Sequence, residues 1–196
     1  MLNDRRLKIP ETDIEFDAVF PNHVRKLSYR HFTNLEVSRK IARWLSEYKK
    51  LNLIDLGCGV GKFCIAIASL TKHNVTGIDF RDDYILIAER IRRFYYLNNL
   101  QFANQNILDL SFKDYNAFYL FNPFLEQIDN TARMDENIET SPLWYSIYEN
   151  HVRCELEKMP LNTLVITYYA TPQQIPFNYT LLKTGFEGCL KLWILK

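Results

Sequence analysis

Between the apolar run Leu51 to Ile54 and the apolar run Phe63 to Leu70 lies Asp55-Leu56-Gly57-Cys58-Gly59-Val60-Gly61. Leu51, Leu53, Ile54 and Leu56 read as a strand covered on both faces, which shows a near-continuous apolar pattern. Gly57 and Gly59 tolerate positive φ and leave no side chain between backbone and a ligand. Gly61 lets the following helix pack close to the strand, and the start of that helix presents backbone N–H groups. A second strand, Asn74 to Ile78, ends at Asp79, placed to accept hydrogen bonds from sugar hydroxyls. A glycine loop, a helix, a strand and a terminal acid in register constrain the fold more than any other stretch.

The pattern D-x-G-x-G-x-G with an acid ending the second strand resembles the class I S-adenosylmethionine-dependent methyltransferases. The dinucleotide spacing G-x-G-x-x-G is not met, because positions 62 and 64 hold Lys62 and Cys64. The resemblance implies that Asp55, Gly57, Cys58, Gly59, Gly61, Asp79, Phe80, Asn106 and Ile107 bind S-adenosyl-L-methionine. Asp79 would hold the ribose, Asn106 would accept from the adenine amino group, and Asp55 would order the loop near the amino-acid end.

Residues 102 to 110 resemble the family's third strand and its exit loop, and Ala117 to Phe121 its fourth strand. The latter ends in Asn122-Pro123-Phe124, similar to the family's fourth motif but with one proline where many members have two. These three are the candidate catalytic residues. The Asn122 side-chain oxygen and the Pro123 carbonyl would accept from an amine, and Phe124 would pack on the acceptor or the sulfonium. The resemblance covers roughly residues 28 to 196.

Capping and periodicity supply the remaining elements. Thr33 with Glu36 has the form of a capping box ahead of a helix whose Val37, Ile41, Trp44, Leu45 and Tyr48 share a face. Asp82 is placed to cap a helix carrying Ile85, Ala88, Ile91 and Tyr95, and Pro142 to open another. Leu164 to Tyr168 and Leu190 to Leu195 read as strands, with Gly185 at the turn between them. The expected architecture is α/β: a Rossmann-like, doubly wound, mostly parallel sheet of six or seven strands, with helices on both faces and one antiparallel strand near the C-terminus. Residues 1–32 read as an N-terminal arm with turns around Pro10 and Pro21, and residues 33–196 as one domain.

Charge and cysteine content bound the setting. Residues 21 to 50 carry eight bases and two acids, whereas residues 121 to 160 carry three bases and eight acids. Glu126, Asp129, Asp135, Glu136 and Glu139 either draw a cationic amine toward the transfer edge or form a solvated loop. The net charge of +1 lacks a strongly basic footprint, so a protein or small-molecule acceptor is favoured over nucleic acid. No stretch reaches the roughly 20 apolar residues of a membrane span, and the charged Met1 to Arg6 lacks a signal-peptide core. Cys58, Cys64, Cys154 and Cys189 show neither metal spacing nor disulfide density, so a cytoplasmic protein without metal is expected. Cys58 and Cys64 read as packing residues, and His23, His73 and His151 lie in no catalytic constellation. The alternatives are a member that binds the cofactor or a partner without turnover, and a nicotinamide oxidoreductase, which shares the early architecture.

Overall fold

The structure, a computed structural model, describes residues 6–129, 131, 133–135, 139–170 and 172–196. Met1 to Arg5 and Glu136 therefore lie outside the described residues. Among the described residues seven strands form a mixed sheet, and the chain divides into two compact units, Met1–Gln105 and Asn106–Lys196.

The first unit has the strand order β3-β2-β1, where β1 is Asn52–Leu56, β2 Asn74–Asp79 and β3 Leu100–Asn104. Both pairings are parallel, with Asp55 opposite Gly77 and Asp79 opposite Asn104. The near-continuous burial of β1 and β2 is what parallel strands covered on both faces require. Three short helices come first: α1 (Asp13–Asp17), α2 (Asn22–Arg25) and α3 (Ser28–His31). The segment expected to hold only short turns is thus helical, and it is anchored by the buried Phe16, Phe20 and Val24. Phe16 stacks on Tyr95 at 6.0 Å.

Helix α4 (Leu35–Leu45) is capped by Asn34, whose side chain accepts from the Val37 N–H at 2.9 Å. The predicted cap at Thr33 is therefore one residue early, and the capping box forms instead in the arm, between Thr12 and Glu15. Helices α5 (Lys62–Leu70) and α6 (Asp82–Phe94) follow β1 and β2. The N-cap of α6 is Arg81, so Asp82 occupies the first turn, where a negative charge suits the helix dipole. His73 is a structural residue. Its Nδ1 accepts from the Leu51 N–H at 3.0 Å, its Nε2 lies 3.1 Å from the Leu45 carbonyl, and burial lowers its pKa.

The second unit has the order β4-β5-β7-β6, with β4 at Ala117–Phe121, β5 at Leu164–Tyr168, β6 at Tyr179–Gly185 and β7 at Leu190–Leu195. Strands β4 and β5 are parallel, and β7 runs antiparallel to both β5 and β6. This is the single antiparallel strand expected from the sequence. Strand β6 was not foreseen, because an edge strand with one neighbour carries a mixed pattern of buried and exposed residues rather than an apolar run. Gly185 accordingly ends β6, and the turn lies at Phe186–Gly188.

Helix α7 (Pro142–Glu157) has proline in its first turn and Ser141 as N-cap. The strand and exit loop expected over 102 to 110 are observed as β3, which starts two residues earlier and stops at Asn104, followed by a 3₁₀ turn at Ile107–Asp109. Asn106 enforces the stop, its side-chain oxygen accepting from the Leu108 N–H at 3.0 Å.

Candidate functional site

In the first unit, the end of β1 turns through Gly57, Gly59 and Gly61, all at positive φ. The Gly57 and Cys58 N–H groups both donate to the Ile78 carbonyl, at 3.0 and 2.8 Å, which ties the loop to the end of β2. A Cβ at Gly59 would meet nothing within 4 Å, so that side of the loop faces open space. At Gly61, by contrast, a Cβ would stand 2.4 Å from the Phe102 ring of β3. Two neighbouring glycines thus do different work: one leaves room for a ligand, and the other lets the chain pass a phenyl ring.

Asp79 closes the loop from the other side. One carboxylate oxygen accepts from the Gly59 N–H at 3.0 Å, and the other accepts from the Arg81 N–H at 3.0 Å and lies 3.4 Å from the Arg81 guanidinium. That guanidinium lies over the Phe80 ring, 4.4 Å from its centroid, and Phe80 itself is exposed. Asp79 therefore organises the glycine loop besides marking the end of β2, and Arg81, unremarked in the sequence reading, fixes its carboxylate.

Asp55 is buried beneath the loop and accepts a hydrogen bond from the Cys64 thiol at 3.2 Å. Burial raises its pKa to about 7, against a lowering by the Cys64 hydrogen bond and a further rise from the Asp79 charge. The same burial pushes the Cys58 thiol up to about 11 and the Cys64 thiol well above its ordinary value. Both cysteines therefore remain protonated packing residues at neutral pH, as expected from their isolation in the sequence.

A further constellation escaped the sequence reading. Lys62, the first residue of α5, is 2 % exposed and places its Nζ 2.7 Å from Asp13 and 2.6 Å from Asp17. Ser28 lies 3.4 Å from the same ammonium and donates its hydroxyl to Asp17, while Asp13 accepts from the Leu35 N–H at 2.9 Å. The arm is thereby fastened to the start of the helix that follows the glycine loop. Asp13 and Asp17 stand one helical turn apart on α1, a spacing that puts both on one face.

The second unit holds the other candidates. Asn106 spends its side-chain oxygen on the Leu108 N–H, as described above, and Ile107 is buried. Asn122, directly after β4, sits at φ 40°, and its carbonyl accepts from the Leu125 N–H at 3.1 Å. The buried Phe124 ring stacks on Tyr148 of α7 at 5.2 Å. It therefore anchors the turn to a helix instead of standing clear at the edge. Of the acidic cluster, Glu126 is buried, and Asp129 accepts from both the N–H and the hydroxyl of Thr131, at 2.8 and 2.6 Å. Among the described residues, no group of His, Cys, Asp or Glu is arranged to hold a metal ion, and no helix is long and apolar enough to cross a membrane.

Comparison with known proteins agrees with this geometry. Residues 47–140 match the family described as a methyltransferase domain. Over 96 residues the chain is 30% identical to the 23S rRNA (uracil(1939)-C(5))-methyltransferase RlmD of Vibrio vulnificus, a match covering 48% of this chain and 21% of that protein. The chain thus spans about a fifth of the length of that relative. The fold is similar to that of TrmN from Thermus thermophilus, with a TM-score of 0.61 at 14% identity, covering 86% of this chain and 50% of TrmN. It is also similar to magnesium protoporphyrin IX methyltransferase from Synechocystis PCC 6803, solved with bound S-adenosylmethionine, with a TM-score of 0.59 at 14% identity over 89% and 82% of the two chains. Residues 47–140 thus resemble a methyltransferase domain, and the chain has the fold of these solved methyltransferases.

Proposed function

We propose that this protein is an S-adenosylmethionine-dependent methyltransferase. The observation that carries the reading is the cradle at the end of β1, where Gly59 faces open space and its N–H is fixed by the Asp79 carboxylate. Gly57, Cys58 and Gly59 turn backbone toward the cofactor, with open space at Gly59, Gly61 lets the loop pass the Phe102 ring, and Asp79 and the exposed Phe80 serve the nucleoside. Asp55 holds the loop from below, and Asn106 and Ile107 serve the adenine end. When bound, the cofactor supplies a methyl group already activated on a sulfonium, so the chain needs neither metal nor covalent nucleophile.

What remains for the protein is alignment. Asn122 and the Pro123 carbonyl accept the N–H bonds of an amine and aim its lone pair, and the stacking of Phe124 on Tyr148 keeps that turn rigid. Residues 33–196 form the methyltransferase-like domain, with residues 1–32 as an arm. The free cysteines fit a reducing cytoplasm. The acceptor is an amine on a small molecule or protein, consistent with the acidic bias of residues 121 to 160.

Titration calorimetry with S-adenosylhomocysteine, followed by transfer of labelled methyl groups into fractionated extract, tests this. Asp79→Asn weakens cofactor binding by about 1 to 3 kcal/mol, the range for a charge-assisted hydrogen bond. Asn122→Ala lowers turnover and leaves cofactor affinity intact. Tight cofactor binding without transfer to any fraction would reduce the protein to a non-catalytic binder, and binding of NADH instead would overturn the reading.

A further inference from the structure

The two adjacent parallel strands of the second unit leave the sheet in the same unusual way. Phe121 and Tyr168 are register partners at the ends of β4 and β5. The residue directly after each strand, Asn122 and Tyr169, is left-handed, with φ of 40° and 54°. Asparagine tolerates this region, but for a bulky aromatic residue it is an outlier of the kind that collects at functional sites. The Tyr169 backbone is pinned there by its N–H, which donates to the Cys189 carbonyl at 3.0 Å.

The consequence is an aromatic edge. The Tyr169 ring lies 4.5 Å from Tyr168 and 6.3 Å from Phe121, the latter two are 4.9 Å apart, and Phe186 closes on Tyr168 at 6.5 Å. Tyr168 is buried, whereas Tyr169 is 54 % exposed. In open α/β sheets ligands bind outside the carboxyl ends of the strands, which is where this edge stands.

The geometry points to a stacking site for a small, planar, phosphate-free aromatic acceptor, with Tyr169 as the residue that selects for a flat ring. This deepens the methyl-transfer reading and rests on it for the word acceptor. Aromatic faces prefer offset stacking with flat partners. The charge argues against a phosphorylated one, since residues 106–196 carry seven Lys and Arg against eleven Asp and Glu, a net of −4. Glu187, beside Phe186, is exposed and also left-handed, at φ 54°. Lys191, opposite Thr167 one residue before the edge, lies over the Trp193 ring, which is opposite Val165 and further from the edge. A nucleic-acid backbone would need Lys or Arg where this edge offers Glu187.

The test uses the full chain and three probes of one skeleton: 2-naphthol, its puckered decahydro analogue and 2-naphthyl phosphate, each titrated by ligand-observed NMR with and without S-adenosylhomocysteine. Binding of 2-naphthol exceeds that of the other two by about fivefold or more, and Tyr169→Asn, which suits the left-handed backbone but lacks a ring, weakens it about tenfold. Tyr169→Phe stays within about twofold of the native chain, which a role in packing through the hydroxyl would not allow. Melting curves establish that the variants fold, and Tyr169→Leu, apolar but ringless, shows the same loss and stands in for the Asn variant should that one fail to fold. Equal binding of flat and puckered probes, tighter binding of the phosphate, or an unchanged Tyr169→Asn or Tyr169→Leu variant overturns the inference. Failure of S-adenosylhomocysteine to bind while the ring preference persists removes the methyl-transfer reading instead and leaves the aromatic site standing.

Discussion

Replacing Lys62 by methionine removes the ammonium that fastens the arm and leaves two carboxylates facing each other. The methionine fills a similar volume, so the cost is electrostatic and not a cavity. The Asp17 side chain is 10 % exposed, and stripping the partner from a buried pair costs about 3 to 5 kcal/mol. Asp13 is 40 % exposed, so its share is screened by solvent and small. Asp17 also keeps the Ser28 hydroxyl, which places the expected loss at the lower end, about 3 kcal/mol. With a urea slope of roughly 2 kcal/mol per molar for a chain of this size, the midpoint falls by about 1.5 M. Neutralising the stranded acid in Lys62→Met with Asp17→Asn recovers about half of that fall, because the uncompensated charge is the main cost. A midpoint within about 0.3 M of the native value, or a double variant no more stable than the single one, would refute the view that this cluster holds the arm.

Two further outcomes follow from the loop. Gly61→Ala forces a Cβ to 2.4 Å from the Phe102 ring at a residue with φ of 77°, and left-handed strain with overpacking costs about 3 kcal/mol together, read from the shift in thermal or urea midpoint. Asp55 has a folded pKa of about 7 against an ordinary 3.8, raised mainly by burial. The fold therefore favours its protonated form, and its stabilising contribution is complete below about pH 4 and is lost as pH rises through about 7. Asp55→Asn removes that dependence, so the stability of the variant relative to the native chain rises between these limits, by an amount on the order of 4 kcal/mol. A difference between the two that stays flat with pH would show that Asp55 titrates normally.

The buried parallel strands were legible because strands covered on both faces announce themselves as apolar runs, and β4 and β5 match their expected bounds residue for residue, as does the antiparallel β7. Edge strand β6 was not, since half of an edge is wet and its sequence carries no such run. The glycine loop and Asp79 were equally readable, because positive φ and a strand-terminal acid are local requirements written into residue type. The shift of the cap from Thr33 to Asn34 shows the opposite case, where two adjacent residues can both cap and only packing chooses between them.

Local chemistry by itself thus determined the α/β alternation, the cofactor-type loop and the turn at Asn122. Only the tertiary structure decided that Lys62 is buried between Asp13 and Asp17, that Arg81 fixes Asp79, that Phe124 turns inward to Tyr148, and that the Tyr169 ring lies beside Phe121. Each of these joins residues far apart in the chain, or depends on which of several faces a neighbour covers. Periodicity and spacing report what a segment does with its own backbone, whereas burial of a charge or exposure of a ring is set by segments elsewhere in the chain.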